Sequence, residues 1–201
     1  GATGNVGREI IQILEDRDFP IDQLYLLAST RSKGQTIEFK GEKLVVEDLA
    51  EFDFSKVQIG LFSPGGKVSA EFAPKAAKAG CIVIDNTSHF RMHTDVPLIV
   101  PEVNASVLED FFNNDERSNI ISNPNCSTIQ MVVALKPLHD KAIINRVVVS
   151  TYQSVSGAGK EAMDELFKQT QSIYSNNNIE KDKFTKQIAF NVIPHIDSFL
   201  D

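Results

Sequence analysis

The chain has no tryptophan, little cysteine and a deficit of positive charge. Among its 201 residues there are two cysteines, and 27 acidic side chains outnumber 20 basic ones, which gives a formal net charge of −7. Two cysteines far apart in the sequence supply neither a disulfide framework nor the ligand set of a structural zinc site, so we expect no metal. Because Lys and Arg are scattered and outnumbered, no basic stripe is available for phosphate backbones, and we expect no nucleic-acid partner.

Long apolar runs are also missing. No stretch reaches the length of a membrane span and none resembles a signal peptide, so we expect no membrane partner and a cytoplasmic location, where a free thiol stays reduced. The composition, 42% hydrophobic and 23% charged, allows a sizeable core. The chain begins on glycine where a dinucleotide-binding fold has a hydrophobic strand, and we therefore expect a fragment that lacks this strand.

Short apolar segments alternate with amphipathic ones along much of the chain. Helical spacing of apolar residues predicts helices over residues 5–16 and 68–78. Six segments have the composition of strands: 24–28, 36–46, 57–62, 82–84, 98–100 and 120–121. This alternation predicts an α/β fold with a Rossmann-like doubly wound parallel sheet.

A glycine-rich turn, Gly1-x-x-Gly4-x-x-Gly7, opens the chain and leads into the first predicted helix. Such a turn lets the backbone approach a pyrophosphate at a helix N-terminus. Alone the motif is weak, but the strand and helix pattern that follows strengthens it. After the next strand the loop holds Arg31 and Ser32 and no carboxylate for ribose hydroxyls, which suits a 2′-phosphate, so we expect NADP. An ordinary polar loop is the alternative.

Cys126 lies in Asn123-Pro124-Asn125-Cys126-Ser127-Thr128, directly before an amphipathic run. The thiol is therefore predicted at the N-terminus of a helix, where unpaired N–H groups and the helix dipole favour a thiolate. A nucleophilic sulfur together with a dinucleotide site indicates oxidation of an aldehyde, or reduction of an acyl group, through a thioester. A buried helix cysteine is the alternative. Cys81, in an apolar strand, is expected to be structural.

Three further positions could serve such a site. Ser63-Pro64-Gly65-Gly66 follows a strand, at the edge where open α/β sheets bind ligands. Arg91 lies in a loop expected at the same edge, where its fork of donors could clamp a phosphate or carboxylate, although an isolated arginine is more often a surface residue. Gln153 ends a β-branched run and either bonds substrate or caps the sheet. None of the four histidines has a context that completes a dyad with the cysteine.

The chain changes character after residue 126. A β-branched run over residues 146–155 predicts a long strand, and a helix is predicted from about residue 160 to 175. We expect an NADP-binding Rossmann-like domain over residues 1–126. Residues 127–201 are expected to form the first part of an α+β catalytic and dimerisation domain, which Asp201 does not complete.

Five segments, taken in order, closely resemble aspartate-β-semialdehyde dehydrogenase of the bacterial type. They are residues 1–7, 85–92, 100–104, 123–128 and 151–159. The likeness runs along the whole chain, and the cysteine motif is its most specific part. The resemblance implies that Cys126 is similar to the family's nucleophile, Gln153 to its substrate-positioning glutamine and Arg91 to its phosphate-binding arginine, with Asn125 at the same site.

The resemblance also implies a cofactor site, a reaction and partners. Positions that match the family's NADP contacts are Gly1, Thr3, Gly4, Asn5, Val6, Arg31, Ser32, Ser63, Gly65, Gly66, Asn86, Ser156 and Gly157. The implied reaction converts L-aspartyl-4-phosphate to L-aspartate 4-semialdehyde and phosphate with NADPH, on the route to lysine, methionine, threonine and diaminopimelate. The implied assembly is a cytoplasmic homodimer, or a tetramer.

Two alternatives and one departure accompany this resemblance. The alternatives are N-acetyl-γ-glutamyl-phosphate reductase, which shares the chemistry and the general fold, and a non-catalytic NADP-binding module. The departure is that the family's catalytic histidine and its substrate-carboxylate arginine correspond to positions after Asp201. We therefore expect this chain alone to be inactive.

Overall fold

The computed structural model describes residues 1–195, and the chain divides into two compact units. The first unit is Gly1–Ser150 and the second begins at Thr151. The domain boundary predicted after residue 126 concerns the domains of the implied family, and it stays a prediction.

The first unit has an α/β fold, as the alternation of segments predicted. Its helices are α1 (Asn5–Asp16), α2 (Gly66–Lys78), α3 (Pro101–Asn104), α4 (Val107–Asn113) and α5 (Cys126–Lys141). Its strands are β1 (Leu26–Ala28), β2 (Thr36–Phe39), β3 (Glu42–Asp48), β4 (Ile59–Phe62), β5 (Ile82–Asp85) and β6 (Ile120–Ser122). The predicted segments at 98–100 contribute only an isolated parallel bridge between Leu98 and Ser122.

The strands form two three-stranded sheets. β4, β5 and β6 lie side by side in that order and run parallel, which confirms the predicted parallel sheet. In the second sheet β3 lies between β1 and β2, parallel to the first and antiparallel to the second. The segment around Gly41 is the turn of the β2–β3 hairpin, where a φ of 80° suits glycine.

Each sheet has its own apolar core. Ile11 of α1 packs into a cluster with Leu26, Phe39 and Val46 from the β1–β3–β2 sheet. The parallel sheet buries Val83 against α2, whose small buried residues allow the helix to approach closely. α2 ends at Lys78, and Gly80, two residues later, has a φ of 92° and donates its N–H to the carbonyl of Ala77, the left-handed helix ending that glycine permits.

An apolar cavity of about 600 Å³ lies between the two sheets. β1 and the residues before it line one side, and β4 lines the other. Ile59 and Leu61 of β4 are consequently 51% and 40% exposed. Gly1 lies at the end of the cavity, where its nitrogen donates to the carbonyl of Leu27, and a Cβ placed on it would come within 2.7 Å of the Ser63 carbonyl oxygen. Among the described strands, β1 and β4 are each paired on one side only.

The long strand predicted over residues 146–155 is wrong. Residues 143–154 have no regular secondary structure, and Val148 and Tyr152 are more than four-fifths exposed. A β-branched run forms a strand only where another strand accepts its backbone hydrogen bonds, and none of the described strands pairs with it. Composition alone carries no information about that partner.

The second unit is built on α6 (Lys160–Tyr174), close to the predicted helix. Two buried polar side chains of this helix hold the segment that follows it. The Gln169 Oε1 atom accepts from the N–H groups of Ile188 and Ala189 at 2.8 and 3.2 Å, and the Glu165 carboxylate accepts from the N–H of Lys183. In residues 1–195, no helix combines the length and the apolar character needed to cross a membrane.

Candidate active site

The carboxyl ends of the three parallel strands bring three loops together. The N–H of Asn86, just after β5, donates to the carbonyl of Phe62 at the end of β4 at 2.8 Å. The N–H of Asn123, just after β6, donates to the carbonyl of Asp85 at 2.8 Å. Because the strand pairing continues past the strand ends in this way, the loops that contain the predicted site residues leave the sheet side by side.

Cys126 is the first residue of α5, as the sequence predicted, and its side chain is exposed. Asn125 is the N-cap of this helix, and its side-chain oxygen accepts the N–H of Ser127 at 3.0 Å. The cap fixes the first turn, so the sulfur stands where the helix presents its N–H groups and the positive end of its dipole. The alternative interpretation, in which Cys126 is a cysteine buried inside the helix packing, does not fit this exposure.

Arg91 connects the loop after β5 with the segment that leads to the cysteine. Its Nε donates to the carbonyl of Asn123 at 2.9 Å, and its Nη2 donates to the carbonyl of Asn86 at 3.3 Å. The guanidinium has five N–H donors, so these two bonds fix its plane and leave donors for an anion. The structure therefore brings together Arg91, Asn86 and the Asn123–Cys126 segment, which the sequence had placed in separate loops.

A buried carboxylate lies beneath these loops, and sequence reasoning missed it. Asp85 ends β5 and has no solvent exposure. Its Oδ1 accepts from the Ser69 hydroxyl of α2 at 2.6 Å, and its Oδ2 accepts from the Thr87 hydroxyl at 2.8 Å. The available signal was a carboxylate directly after the apolar strand, because a charge in that place must find donors.

The glycine-rich turn is packed too closely for side chains. A Cβ on Gly7 would come within 2.3 Å of the Gly1 carbonyl oxygen, and the N–H of Gly4 donates to that same carbonyl at 3.0 Å. Gly4 is the N-cap of α1 and supplies no side-chain cap, and the exposed Asn5 and Val6 begin the helix. The turn and the N–H groups of the first helical turn therefore fit a pyrophosphate.

The loop after β1 has the predicted polar character. A short 3₁₀ turn covers Thr30–Ser32, Arg31 is exposed, and the Thr3 hydroxyl donates to the Ser32 hydroxyl at 3.4 Å. A carboxylate does lie nearby, although on another strand: Asp48 of β3 is paired with Ala28 in register. The Thr30 hydroxyl, together with the N–H of Ala50, holds the pKa of Asp48 below its usual value, so this carboxylate is already engaged as an acceptor.

The loops after β4 and β5 approach each other at the start of α2. Ser63 is half-buried, Gly65 is the N-cap of α2 with a φ of 92°, and Gly66 is its first residue. A Cβ on Gly66 would meet Ser88 and His89 at 3.9 Å, so the two loops are neighbours. The residues predicted here thus share one sheet edge with Asn86.

The remaining predicted positions belong to the second unit. Gln153 is exposed in the irregular segment. Ser156 and Gly157 lie in the 3₁₀ turn Val155–Ala158 directly before α6, where the Gly157 N–H donates to the Ser154 carbonyl at 3.1 Å. Within this unit the three residues are close in sequence and lie before the N-terminus of α6.

Cys81 has the setting of a structural residue, as expected. Its side chain has no solvent exposure, and burial raises the pKa of its thiol to about 11. A Cβ on Gly60 of the neighbouring β4 would come within 3.2 Å of its sulfur, so the site is tightly packed. The chain therefore contains one buried and one exposed cysteine.

Comparison with known proteins finds semialdehyde dehydrogenase models in both the N-terminal and the C-terminal part of the chain. The family model described as "Semialdehyde dehydrogenase, NAD binding domain" matches residues 1–111, and "Semialdehyde dehydrogenase, dimerisation domain" matches residues 135–201. The aspartate-semialdehyde dehydrogenase 2 of Vibrio cholerae is 55% identical over 201 residues, which are 100% of this chain and 58% of that protein.

Solved structures of aspartate semialdehyde dehydrogenases are also similar to this chain. The crystal structure of Vibrio cholerae aspartate semialdehyde dehydrogenase II complexed with ASA superimposes with a TM-score of 0.93 at 54% identity, over 100% of this chain and 59% of that one. The Candida albicans enzyme with NADP gives 0.60 at 29% identity, over 72% and 46% of the two chains. The chain thus spans less than two thirds of these relatives' length. Since one of the family's models covers more than half of the chain, the chain belongs to the semialdehyde dehydrogenase family.

Proposed function

We propose that the whole protein is an NADP-dependent aspartate-semialdehyde dehydrogenase, which reduces L-aspartyl-4-phosphate to L-aspartate 4-semialdehyde and phosphate. The observation that carries this proposal is the exposed Cys126 at the start of α5, with Arg91 bound to the carbonyl of Asn123 three residues ahead of it. A nucleophile and an anion-binding guanidinium that contacts the same short segment are what an acyl phosphate requires.

The first step is acyl transfer to sulfur. The Cys126 thiolate attacks the acyl carbon, a C–S bond forms, and the C–O bond to phosphate breaks with its electron pair leaving on the phosphate oxygen. Arg91 stabilises the departing phosphate, because a fork of N–H donors matches phosphate oxygens. The N–H groups of the first turn of α5 stabilise the negative charge on the carbonyl oxygen in the transition state. Asn125, as N-cap, keeps that turn in place.

The second step reduces the thioester. NADPH, when bound, supplies the hydride that converts the acyl group to the aldehyde level. Cys126 is then the leaving group and returns as a thiolate when the aldehyde is released. Gln153 is proposed to position the substrate, in line with the family resemblance. These roles divide one difficult reduction into two easier steps.

The cofactor is proposed to occupy the carboxyl edge of the two sheets. The glycine turn and the start of α1 fit the pyrophosphate, and Arg31 and Ser32 fit a 2′-phosphate, while Asp48 of the neighbouring strand β3 is engaged by Thr30. The NADP bound by the Candida albicans relative supports the phosphorylated cofactor. The proposed contacts are Gly1, Thr3, Gly4, Asn5, Val6, Arg31, Ser32, Ser63, Gly65, Gly66, Asn86, Ser156 and Gly157.

Assembly and location follow from the family. The dimerisation-domain match over residues 135–201 supports a homo-oligomer, which we propose is a homodimer. The exposed apolar residues of the irregular segment, such as Val148 and Tyr152, are consistent with a surface that another part of the assembly covers. We propose the cytoplasm as the location, because a free nucleophilic thiol needs reducing conditions.

The experiment compares two cysteine substitutions in the whole protein. Cys126→Ala is expected to abolish NADPH-dependent release of phosphate from aspartyl phosphate while NADP still binds, and Cys81→Ala, the matched control, should keep the activity of any protein that folds. Substantial turnover by Cys126→Ala would contradict the thioester route. Assaying N-acetyl-γ-glutamyl phosphate in parallel tests the alternative substrate, and its preferential use would replace the aspartyl assignment.

A further inference from the structure

We propose that Thr87, held by the buried carboxylate of Asp85, is a positioning residue for Arg91. The two residues form what we call the Asp85–Thr87 clasp. This inference deepens the proposed function, because it rests on the role of Arg91 as the anion-binding group. It gives a role to Thr87, to which neither the sequence motifs nor the similarity to known proteins assigns one.

The clasp begins with a carboxylate that the fold buries completely. Asp85 has no solvent exposure, and its two oxygens accept from the Ser69 and Thr87 hydroxyls. Removing a carboxylate from water is costly unless donors replace the water, so the geometry of these two donors is tightly constrained. The Thr87 side chain is itself buried, with 7% of its surface exposed.

The Thr87 hydroxyl connects this fixed point to the loop. It donates to Asp85 and also accepts the N–H of His89 at 3.3 Å. The hydroxyl oxygen therefore ties His89 to β5, and Asn86 lies within the turn that this contact closes. The Asn86 carbonyl in this loop is one of the two acceptors of Arg91.

The second acceptor of Arg91, the carbonyl of Asn123, is also held in place by Asp85. The Asn123 carbonyl accepts from Nε, and the Asn123 N–H donates to the backbone carbonyl of Asp85. The main chain of Asp85 therefore holds one of the two loops that bind the guanidinium, and its side chain holds the other. Both contacts that orient Arg91 are traced back to the end of β5.

Ser69 provides a matched control within the same cluster. Its hydroxyl binds the other oxygen of Asp85 at 2.6 Å, but it belongs to α2 rather than to the loop of Arg91. Ser69→Ala and Thr87→Val each remove one hydroxyl donor from the same carboxylate, so both should lower stability through the same unsatisfied acceptor. Only Thr87→Val releases the loop that carries Asn86 and Arg91.

The test uses inorganic phosphate as the probe on the whole protein. Phenylglyoxal modification of Arg91 is followed by peptide mass spectrometry over a phosphate titration, with the exposed Arg17 as the internal reference. Phosphate is expected to protect Arg91 in the wild type, in Thr87→Ser and in Ser69→Ala. In Thr87→Val the phosphate concentration for half protection should rise about tenfold, the loss expected for one charge-assisted contact.

The outcomes separate this inference from the function on which it rests. Protection of Thr87→Val at the wild-type phosphate concentration overturns the clasp, and so does an equal loss in Ser69→Ala, which would indicate general destabilisation. Absence of any protection in the wild type overturns the anion-binding role of Arg91 and with it the proposed function. If Thr87→Val fails to fold, the hydrogen-exchange rate of the His89 amide is measured in the wild type with and without phosphate. We expect phosphate to slow this exchange, and an unchanged rate refutes the proposal.

Discussion

When residues 1–201 are prepared as a separate polypeptide, the Gly1 amine gives a prediction whose size follows from the structure. Burial at the end of the cavity between the two sheets lowers the pKa of this ammonium from 8.0 to about 6. The unfolded chain therefore binds a proton between pH 6 and 8 that the folded chain does not bind. Since stability rises with pH wherever the unfolded state binds more protons, this group costs about 2 kcal/mol at pH 6 and little above pH 8.

Joining an apolar strand to Gly1 should remove this cost and fill the cavity. A peptide N–H, which carries no charge, would then donate to the Leu27 carbonyl in place of the ammonium. Four or five residues span the length of β4, at about 3.3 Å each. Burying the half-exposed Ile59 and Leu61 adds about 1 kcal/mol for each side chain, before the entropy of ordering the added residues is counted.

Two extensions separate these contributions. We expect a Val/Ile extension of five residues to raise the free energy of unfolding at pH 6 by more than about 2 kcal/mol, and a Gly/Ser extension of equal length to remove only the pH dependence. Urea unfolding at pH 6 and 8, compared with the unextended chain so that contributions common to both chains cancel, measures both. If the chain with the Val/Ile extension is no more stable than the chain with the Gly/Ser extension, the cavity does not accept an added apolar strand. If the free energy of unfolding changes between pH 6 and 8 by the same amount with and without an extension, the Gly1 ammonium is not buried.

Three further predictions concern the candidate site. In the folded chain iodoacetamide should label Cys126 and leave Cys81 unmodified until denaturant is added, as peptide mass spectrometry would show, because only the first is exposed. Gly7→Ala should lower the free energy of unfolding by about 3 kcal/mol or more in denaturant titrations, since its Cβ would meet backbone at 2.3 Å, and a loss below about 1 kcal/mol would contradict the close packing of the turn. Arg31→Ala should weaken NADP binding about tenfold or more in calorimetry of the whole protein while NAD binding is unchanged, and an equal loss for both cofactors would contradict a 2′-phosphate contact.

The sequence was sufficient for features that neighbouring residues determine. The helical spacing after the glycine turn gave α1 with both ends correct, and the Asn123–Thr128 segment gave the N-terminus of α5 at Cys126. In each case a turn residue stops the chain and the helix begins within a few positions, so local rules are enough. The strand-like segment predicted over residues 36–46 likewise corresponds to the β2–β3 hairpin.

Features that depend on a distant partner could not be obtained in this way. The run 146–155 has the composition of a strand, yet no described strand receives its hydrogen bonds and it stays irregular. Asp48 was overlooked for the related reason that β3 is parallel to β1, which brings a carboxylate to the loop of Arg31 from another strand. In both cases pairing between strands decides the outcome, and a single sequence does not contain the register.

The position of Arg91 shows where the two kinds of information meet. Its residue type and its loop indicate an anion site, but an arginine in a loop can point in many directions, and the direction here is fixed by carbonyls of Asn86 and Asn123 that lie 37 positions apart in the chain. Those carbonyls are adjacent only because β5 and β6 are parallel neighbours. A guanidinium restrained by two strand ends loses less entropy when it binds an anion than one on a free loop, since its orientation is set before the ligand arrives. The catalytic usefulness of the loop therefore comes from the sheet beneath it, and substitutions at the end of β5 should affect anion binding more than substitutions in the exposed part of the loop.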